Sequence, residues 1–216
     1  MNSLLNKLTL RQFNNLLTVM VLALSLYMIA FPFLPYLDLW REQLSDNTGG
    51  VRYGGLLASE NGESDNSNLK QPPEGNQLVI PGIAIDEPIV VGDDPSNIHR
   101  GAWHRPRTST PNEGGNTVIV GHRFSYSSPA IFYHLDRVKE GDTFAIWWEG
   151  KEYVYRVFQT SVVDATAIEI EDNTEDPIAT IYTCTPVWTA TNRLVIRGEL
   201  LNPEILDERI EGVGSV

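Results

Sequence analysis

The chain of 216 residues has one cysteine, Cys184, and four histidines: His99, His104, His122 and His134. One cysteine excludes an internal disulfide framework and a cysteine-rich zinc site, and no HExxH pair points to a metal hydrolase. A thiol can still serve as a nucleophile if a proton-transfer group and an oxyanion-stabilising cation stand beside it. Cys184 ends the β-rich run IATIYTC, and a second such run begins at Arg193, with TPVWTATN between them. If the two runs pair as a simple hairpin, residues equidistant from the loop face one another, so Cys184 lies opposite Arg193. Side-chain alternation places Ala179, Ile181 and Thr183 on one face and Cys184 on the other. Across the hairpin Leu194 and Ile196 then point inward, with Arg193 and Arg197 outward. A guanidinium beside a thiol favours the thiolate and can stabilise an oxyanion. The competing reading of a single cysteine is a small buried hydrophobe, and a bulge in the hairpin would break the register.

Histidine is the usual proton-transfer partner of a catalytic thiol. His122 follows TVIVG directly, at the exit of an apolar strand and beside Arg123. Functional groups are commonly held at such strand ends. His99 and His104 lie in a polar stretch with Arg100 and Arg105, where solvated surface is the default. His134 sits beside Phe132 and Leu135 in an expected helical turn, which favours packing.

The elements that must position these groups are short. The runs 78–81, 83–85, 88–92, 117–121, 143–148, 152–158, 178–183 and 193–200 are rich in β-branched and aromatic residues, and Glu149-Gly150-Lys151 makes a tight hairpin. Few helical patterns interrupt them, apart from one short turn within 131–138. This texture predicts an all-β closed barrel or sandwich.

Ahead of the strands, residues 12–37 carry no charged side chain. The apolar stretch 16–37 is long enough for a membrane-spanning helix, disturbed near its outer end by Pro32 and Pro35. Lys7 and Arg11 precede it without any acid, so residues 1–15 are expected in the cytoplasm and the rest outside. A cleaved signal peptide is the alternative, although no clear A-x-A site follows. Residues 38–76 are expected to form a flexible linker, 77–201 the barrel and 202–216 a polar, peripheral tail. The chain has 16 basic and 28 acidic residues, a net charge of -12, which argues against nucleic acid as a partner.

The segments LVIPGIAIDEPIVVG, GGNTVIVGHR, FYHLDRVKEGDTFAI, IYTCTP and NRLVIRGEL, in that order, resemble the sortases, the cysteine transpeptidases of mainly Gram-positive bacterial surfaces. The resemblance covers roughly residues 77–201. It implies a β-barrel of about eight strands preceded by a transmembrane helix, and active-site residues His122, Cys184 and Arg193. Thr183 is expected as a substrate contact, and Trp188, in the loop after the cysteine, either lines the substrate groove or packs at the core or rim. It also implies an extracellular catalytic domain anchored in the cell membrane. The family pattern Thr-Leu-x-Thr-Cys departs here to Thr180-Ile181-Tyr182-Thr183-Cys184. The Asp-Pro-aromatic lid of pilin-polymerising members is absent from the linker; Asp94-Pro95 falls inside the barrel and is followed by Ser96. Some members bind calcium near the acidic run 169–176, but no matching acidic set stands upstream. That run is therefore expected as a solvated loop, and no cofactor is assigned.

The implied reaction is cleavage of a secreted protein's LPxTG-like sorting signal through a thioester on Cys184. Transfer to an amine acceptor follows, either a peptidoglycan precursor or a pilin lysine. Two other readings remain open: a cell-wall cysteine acyltransferase of the L,D-transpeptidase kind, and a non-catalytic surface binding module on the same barrel.

Overall fold

The structure, a computed structural model, describes residues 10–31, 71–125 and 128–206. Two compact units divide the chain, residues 1–45 and 46–216. Among the described residues of the first is one helix, α1 (Leu10–Ala30), long and apolar enough to cross a membrane. The apolar span was expected to begin at residue 16. The helix begins earlier because Gln12, Asn14 and Asn15 bring no breaker, and the Thr18 hydroxyl donates to the Asn14 carbonyl at 2.9 Å. Most of the expected linker, residues 38–70, and the tail beyond 206 lie outside the described residues.

The second unit is a closed eight-stranded barrel. In chain order its strands are β1 (Gln77–Ile80), β2 (Ile85–Val90), β3 (Ala102–His104) and β4 (Asn116–Val120), then β7 (Thr143–Trp148), β8 (Lys151–Asp164), β9 (Ile178–Thr185) and β10 (Asn192–Leu200). Two dipeptide strands, β5 (Phe124–Ser125) and β6 (Ser128–Pro129), form a separate ribbon. Around the barrel the order is β1-β2-β3-β4-β9-β10-β8-β7, and β7 pairs with β1 to close it. Most pairs are antiparallel, but β2–β3 and β4–β9 are parallel.

The sequence patterns account for this arrangement. Leu78, Ile119, Phe144, Ile146, Tyr155, Ile181 and Ile196 fill the interior. Val118, Val120, Tyr182 and Val195 face outward, yet they are buried beneath Trp103 and Ile170. Strands β4 and β9 are thus covered on both faces, which is why TVIV and IATIY read as unbroken apolar runs. The hairpin at 149–150 forms as expected: Glu149 (φ 51°) and Gly150 (φ 78°) both adopt the left-handed conformation of a two-residue turn joining β7 to β8. The helical turn expected within 131–138 is a 3-10 turn at Leu135–Arg137.

Three expectations change. The run 83–85 is not one strand, since a 3-10 turn at Pro81–Ile83 precedes β2. The stretch holding His104 contains β3, and His104 is buried. The tail is not wholly peripheral either. The buried Asn202 side chain accepts from the Val154 backbone N–H at 3.0 Å and donates to the Glu152 carbonyl at 2.9 Å, and Ile205 and Leu206 pack on the core. Asn202 thereby completes the hydrogen bonding of β8 where the strand partner ends. Asn202→Ala leaves both backbone groups unpaired and is expected to lower stability by about 1–3 kcal/mol, read from the urea midpoint.

Candidate active site

Parallel pairing of β4 with β9 carries both chains toward the same end of the barrel. Val120 is in register with Tyr182. The pairing continues one step further: Gly121 N–H donates to the Tyr182 carbonyl at 3.4 Å, and the Thr183 hydroxyl donates to the Gly121 carbonyl at 2.8 Å. His122 and Cys184 are therefore the residues two positions beyond a matched pair on neighbouring strands. On the other side of β9, Cys184 is in register with Arg193 of β10. Thiol and guanidinium thus issue from paired positions of β9 and β10, and the imidazole from the segment that leaves β4 alongside them, with adjacent strands about 4.8 Å apart. The expected cross-strand pair of Cys184 and Arg193 forms, and the only register shift between β8 and β10 falls at Arg197/Gly198, away from it.

Close approach around His122 depends on Gly121. A Cβ there would stand 2.8 Å from the Phe132 ring, so no larger residue fits without displacing it. Cys184 is half-buried rather than sealed in the core. The Arg193 guanidinium donates to the carbonyls of Asn192 (3.0 Å) and Ala190 (3.3 Å), which holds it over the connecting loop. Both bonds are to neutral carbonyls, and the Asp164 carboxylate of β8, in register with Asn192, interacts with the Arg193 charge.

Arg123, next to His122, was identified from the sequence only as a neighbour, but it is a buried tie. Its guanidinium bonds the Thr185 hydroxyl (2.8 Å), Asp136 (3.0 Å) and the Tyr133 carbonyl (3.4 Å). One planar cation thereby fastens the His122 segment to the end of the cysteine strand and to the 131–137 turn. The sequence signal for this role is weak, because a charged residue after a strand exit ordinarily reads as solvated surface.

Of the other expected contacts, Trp188 lies on the rim, 81% exposed, with its ring 4.6 Å from that of Phe124. Thr183 is corrected. Its side chain is buried and engaged with Gly121, so it points inward and braces the two strands instead of reaching a substrate.

The histidines separate clearly. His104 packs on Trp148 and its Nε2 lies 2.9 Å from the Ser109 carbonyl, so the expectation of a solvated residue fails. His134 meets Tyr133 edge-on, as a packing residue. His99, also expected at the surface, is exposed but not isolated: its Nδ1 lies 3.0 Å from His122 Nε2 and the two rings stack. Partial burial, and secondarily the His99 charge, hold His122 below the ordinary histidine value of 6.5, favouring the neutral ring near pH 7.

The acidic run 169–176 is less solvated than expected. Glu171 takes a two-point contact from Arg105 (2.8 and 3.1 Å) and a hydrogen bond from the Tyr182 hydroxyl. Asn116 Nδ2 donates to the carbonyls of Ile170 and Asp172. Among the described residues no group of three or more His, Cys, Asp or Glu side chains is placed to hold a metal ion.

The chain is a closed β-barrel protein in which a half-buried thiol faces a guanidinium across β9 and β10, with an imidazole at the neighbouring exit of β4. The sortase domain matches residues 78–201, and the chain belongs to the sortase family of cysteine transpeptidases. It is 28% identical over 134 residues to sortase A of Listeria monocytogenes, covering 62% of this chain and 60% of that one. With sortase D of Bacillus subtilis it shares 30% identity over 128 residues, covering 56% and 61%. The chain thus spans about 60% of the length of these relatives. Sortase C1 of Streptococcus agalactiae, in complex with MTSET, is similar in structure, with TM-score 0.54, 32% identity and coverage of 59% of this chain and 69% of that one.

Two expectations follow from the anchoring and the burial. Arg123→Lys cannot reproduce three directional contacts with one ammonium, and is expected to cost about 1–3 kcal/mol by urea denaturation; an unchanged midpoint would contradict the tie. His104 and His122 are both held below 6.5 in the folded state, chiefly by burial. As pH falls through that value the unfolded chain takes up protons first, so these groups leave stability unchanged above pH 7 and reduce it below about 6.5. The urea midpoint is expected to drop between pH 7 and pH 5.5, and to drop less in His104→Asn.

Proposed function

We propose that this protein is a membrane-anchored transpeptidase whose active site is Cys184, His122 and Arg193, acting on an LPxTG-like sorting signal. The observation that carries this reading is the register that sets Cys184 opposite Arg193 and level with His122. The Cys184 thiolate attacks the threonine carbonyl carbon of the signal, and the Arg193 guanidinium stabilises the negative oxygen of the tetrahedral intermediate. The C–N bond to the following residue breaks, and the departing amine takes a proton from His122. A thioester between Cys184 and the substrate remains. An incoming amine attacks it, gives a proton back to His122 and releases the thiolate, leaving a new amide.

The substrates are secreted proteins bearing such a signal, and the acceptor is an amine of a cell-wall precursor or a pilin. The exposed Trp188, backed by the half-buried Phe124, supplies an aromatic surface beside the cysteine loop for the apolar part of the signal. The apolar helix α1, with Lys7 and Arg11 ahead of its uncharged span, supports a single crossing with the N-terminus in the cytoplasm and the barrel outside.

The test is incubation of the full chain in detergent micelles with a panel of quenched LPxTG-like peptides and triglycine, with products identified by mass. Ligation product is expected from the wild type and none from Cys184→Ala. Arg193→Ala is expected to lose about 10²–10³-fold in rate, the range for removal of an oxyanion donor, with only partial recovery in Arg193→Lys. Absence of ligation, hydrolysis and thioester with every peptide, while Cys184 still alkylates, would overturn this reading.

A further inference from the structure

The contact between His99 and His122 is not explained by the three-residue chemistry. His99 belongs to the 3-10 turn Pro95–Arg100 in the connection between the parallel strands β2 and β3. This turn is fastened at both ends. Asp94 caps it by accepting from Ser96 N–H at 2.9 Å, and the buried Asn97 reaches the Gly92 carbonyl at 3.4 Å. The Trp103 indole donates to the same carbonyl at 2.9 Å, and the Arg100 guanidinium reaches Asn97 Oδ1 at 3.4 Å. His99 is therefore presented on an anchored support, although its ring is exposed.

The rings of His99 and His122 lie 4.9 Å apart at an interplanar angle of 26°, with His122 Nε2 and His99 Nδ1 at 3.0 Å. At this distance one nitrogen carries the hydrogen and the other accepts it. When His122 is the donor, its remaining nitrogen, Nδ1, is free to accept a proton from a thiol or an incoming amine. When His122 is doubly protonated, Nε2–H stays committed to His99 and Nδ1–H is the one available to a leaving amine. In both states the work falls on the same atom of His122, and the ring does not have to turn between the two half-reactions.

We propose that His99 is a positioning residue for His122, fixing its ring so that Nδ1 is the nitrogen that exchanges protons during acyl transfer. The inference rests on the reading of His122 as the acid–base group. A second consequence follows from the pairing: charge on His99 opposes a proton on His122, in the same direction as the partial burial of His122. The other titratable or charged groups adjoining His122 in chain or register are Arg100, Arg123, Cys184 and Arg193. After burial, the His99 charge is the cause that lowers the affinity of His122 for a proton.

The test combines two variants of the full chain in detergent micelles. His99→Ala removes the partner, whereas His99→Asn keeps a polar side-chain atom near the position of Nδ1 but does not titrate. Long-range ¹⁵N–¹H imidazole spectra of the wild type are expected to show His122 mainly in the Nε2–H tautomer when neutral, with His99→Ala giving a mixture. In His99→Asn the tautomer is expected to be retained, while the His122 titration midpoint moves up toward 6.5. Peptide ligation near pH 7.5 is expected to fall about tenfold in His99→Ala and to recover to within about threefold in His99→Asn. An unchanged His122 tautomer and titration in both variants would overturn the inference, whatever the activity. If the spectra respond as expected but no peptide is ligated by the wild type, the positioning stands and the assigned reaction fails.

Discussion

The site depends on one backbone arrangement: a central strand, β9, paired parallel on one side and antiparallel on the other. The parallel ladder to β4 makes both chains leave the sheet at the same end, so the residues that follow them emerge side by side. The antiparallel ladder to β10 returns the chain through a short loop to the same level. Cys184 sits where the two ladders meet. A one-residue slip in either ladder would turn a neighbouring side chain to the other face of the sheet. Burial of β4 and β9 on both faces penalises such a slip, because it would exchange the inner set Ile119 and Ile181 with the outer set Val118, Val120 and Tyr182 and disrupt two packed layers together.

Polar ties then convert strand register into side-chain position. Thr183 bonds the backbone just before His122, and Arg123 bonds the residue just after Cys184. Each strand end is thus fastened to the other by a group belonging to its neighbour. On the outer surface the acidic 169–173 segment is drawn onto β4 and β9 by Asn116, Arg105 and Tyr182. Buried polar groups here are satisfied in sets, which is the condition under which they specify a geometry instead of destabilising it.

Much of this was legible in the sequence because it is local. The cysteine-to-arginine pairing follows from loop symmetry and the two-residue pleat, and the Glu149-Gly150 turn from its residue types. The all-β class follows from the spacing of apolar runs, while the barrel's eight strands entered through family resemblance. What was not legible is long-range. Strand β3 has three residues, among them His104, and is a strand only because β2 and β4 flank it. The outer half of β8, residues 159–164, mixes polar residues with Val162 and Val163 and is exposed in part, and its strand character comes from pairing with β10. Asn202 looked like the start of a polar tail because its role is to satisfy backbone groups some 50 residues earlier. His99 meets His122 from 23 positions earlier in the chain, and no spacing rule connects them. Thr183 shows the reverse error: family resemblance drew it toward the substrate, whereas the pleat that exposes Cys184 turns its neighbour inward.

The central claim is that the register makes one chemical unit of three groups from three strands. The most direct measurement is the rate of Cys184 alkylation by iodoacetamide near pH 7 in the full chain, compared among wild type, Arg193→Ala and His122→Ala. It requires no knowledge of the substrate. Each substitution is expected to slow alkylation severalfold, since each removes a group set beside the thiol by the register. Equal rates in all three proteins, with the fold intact, would mean that the thiol does not sense its neighbours and would contradict the account.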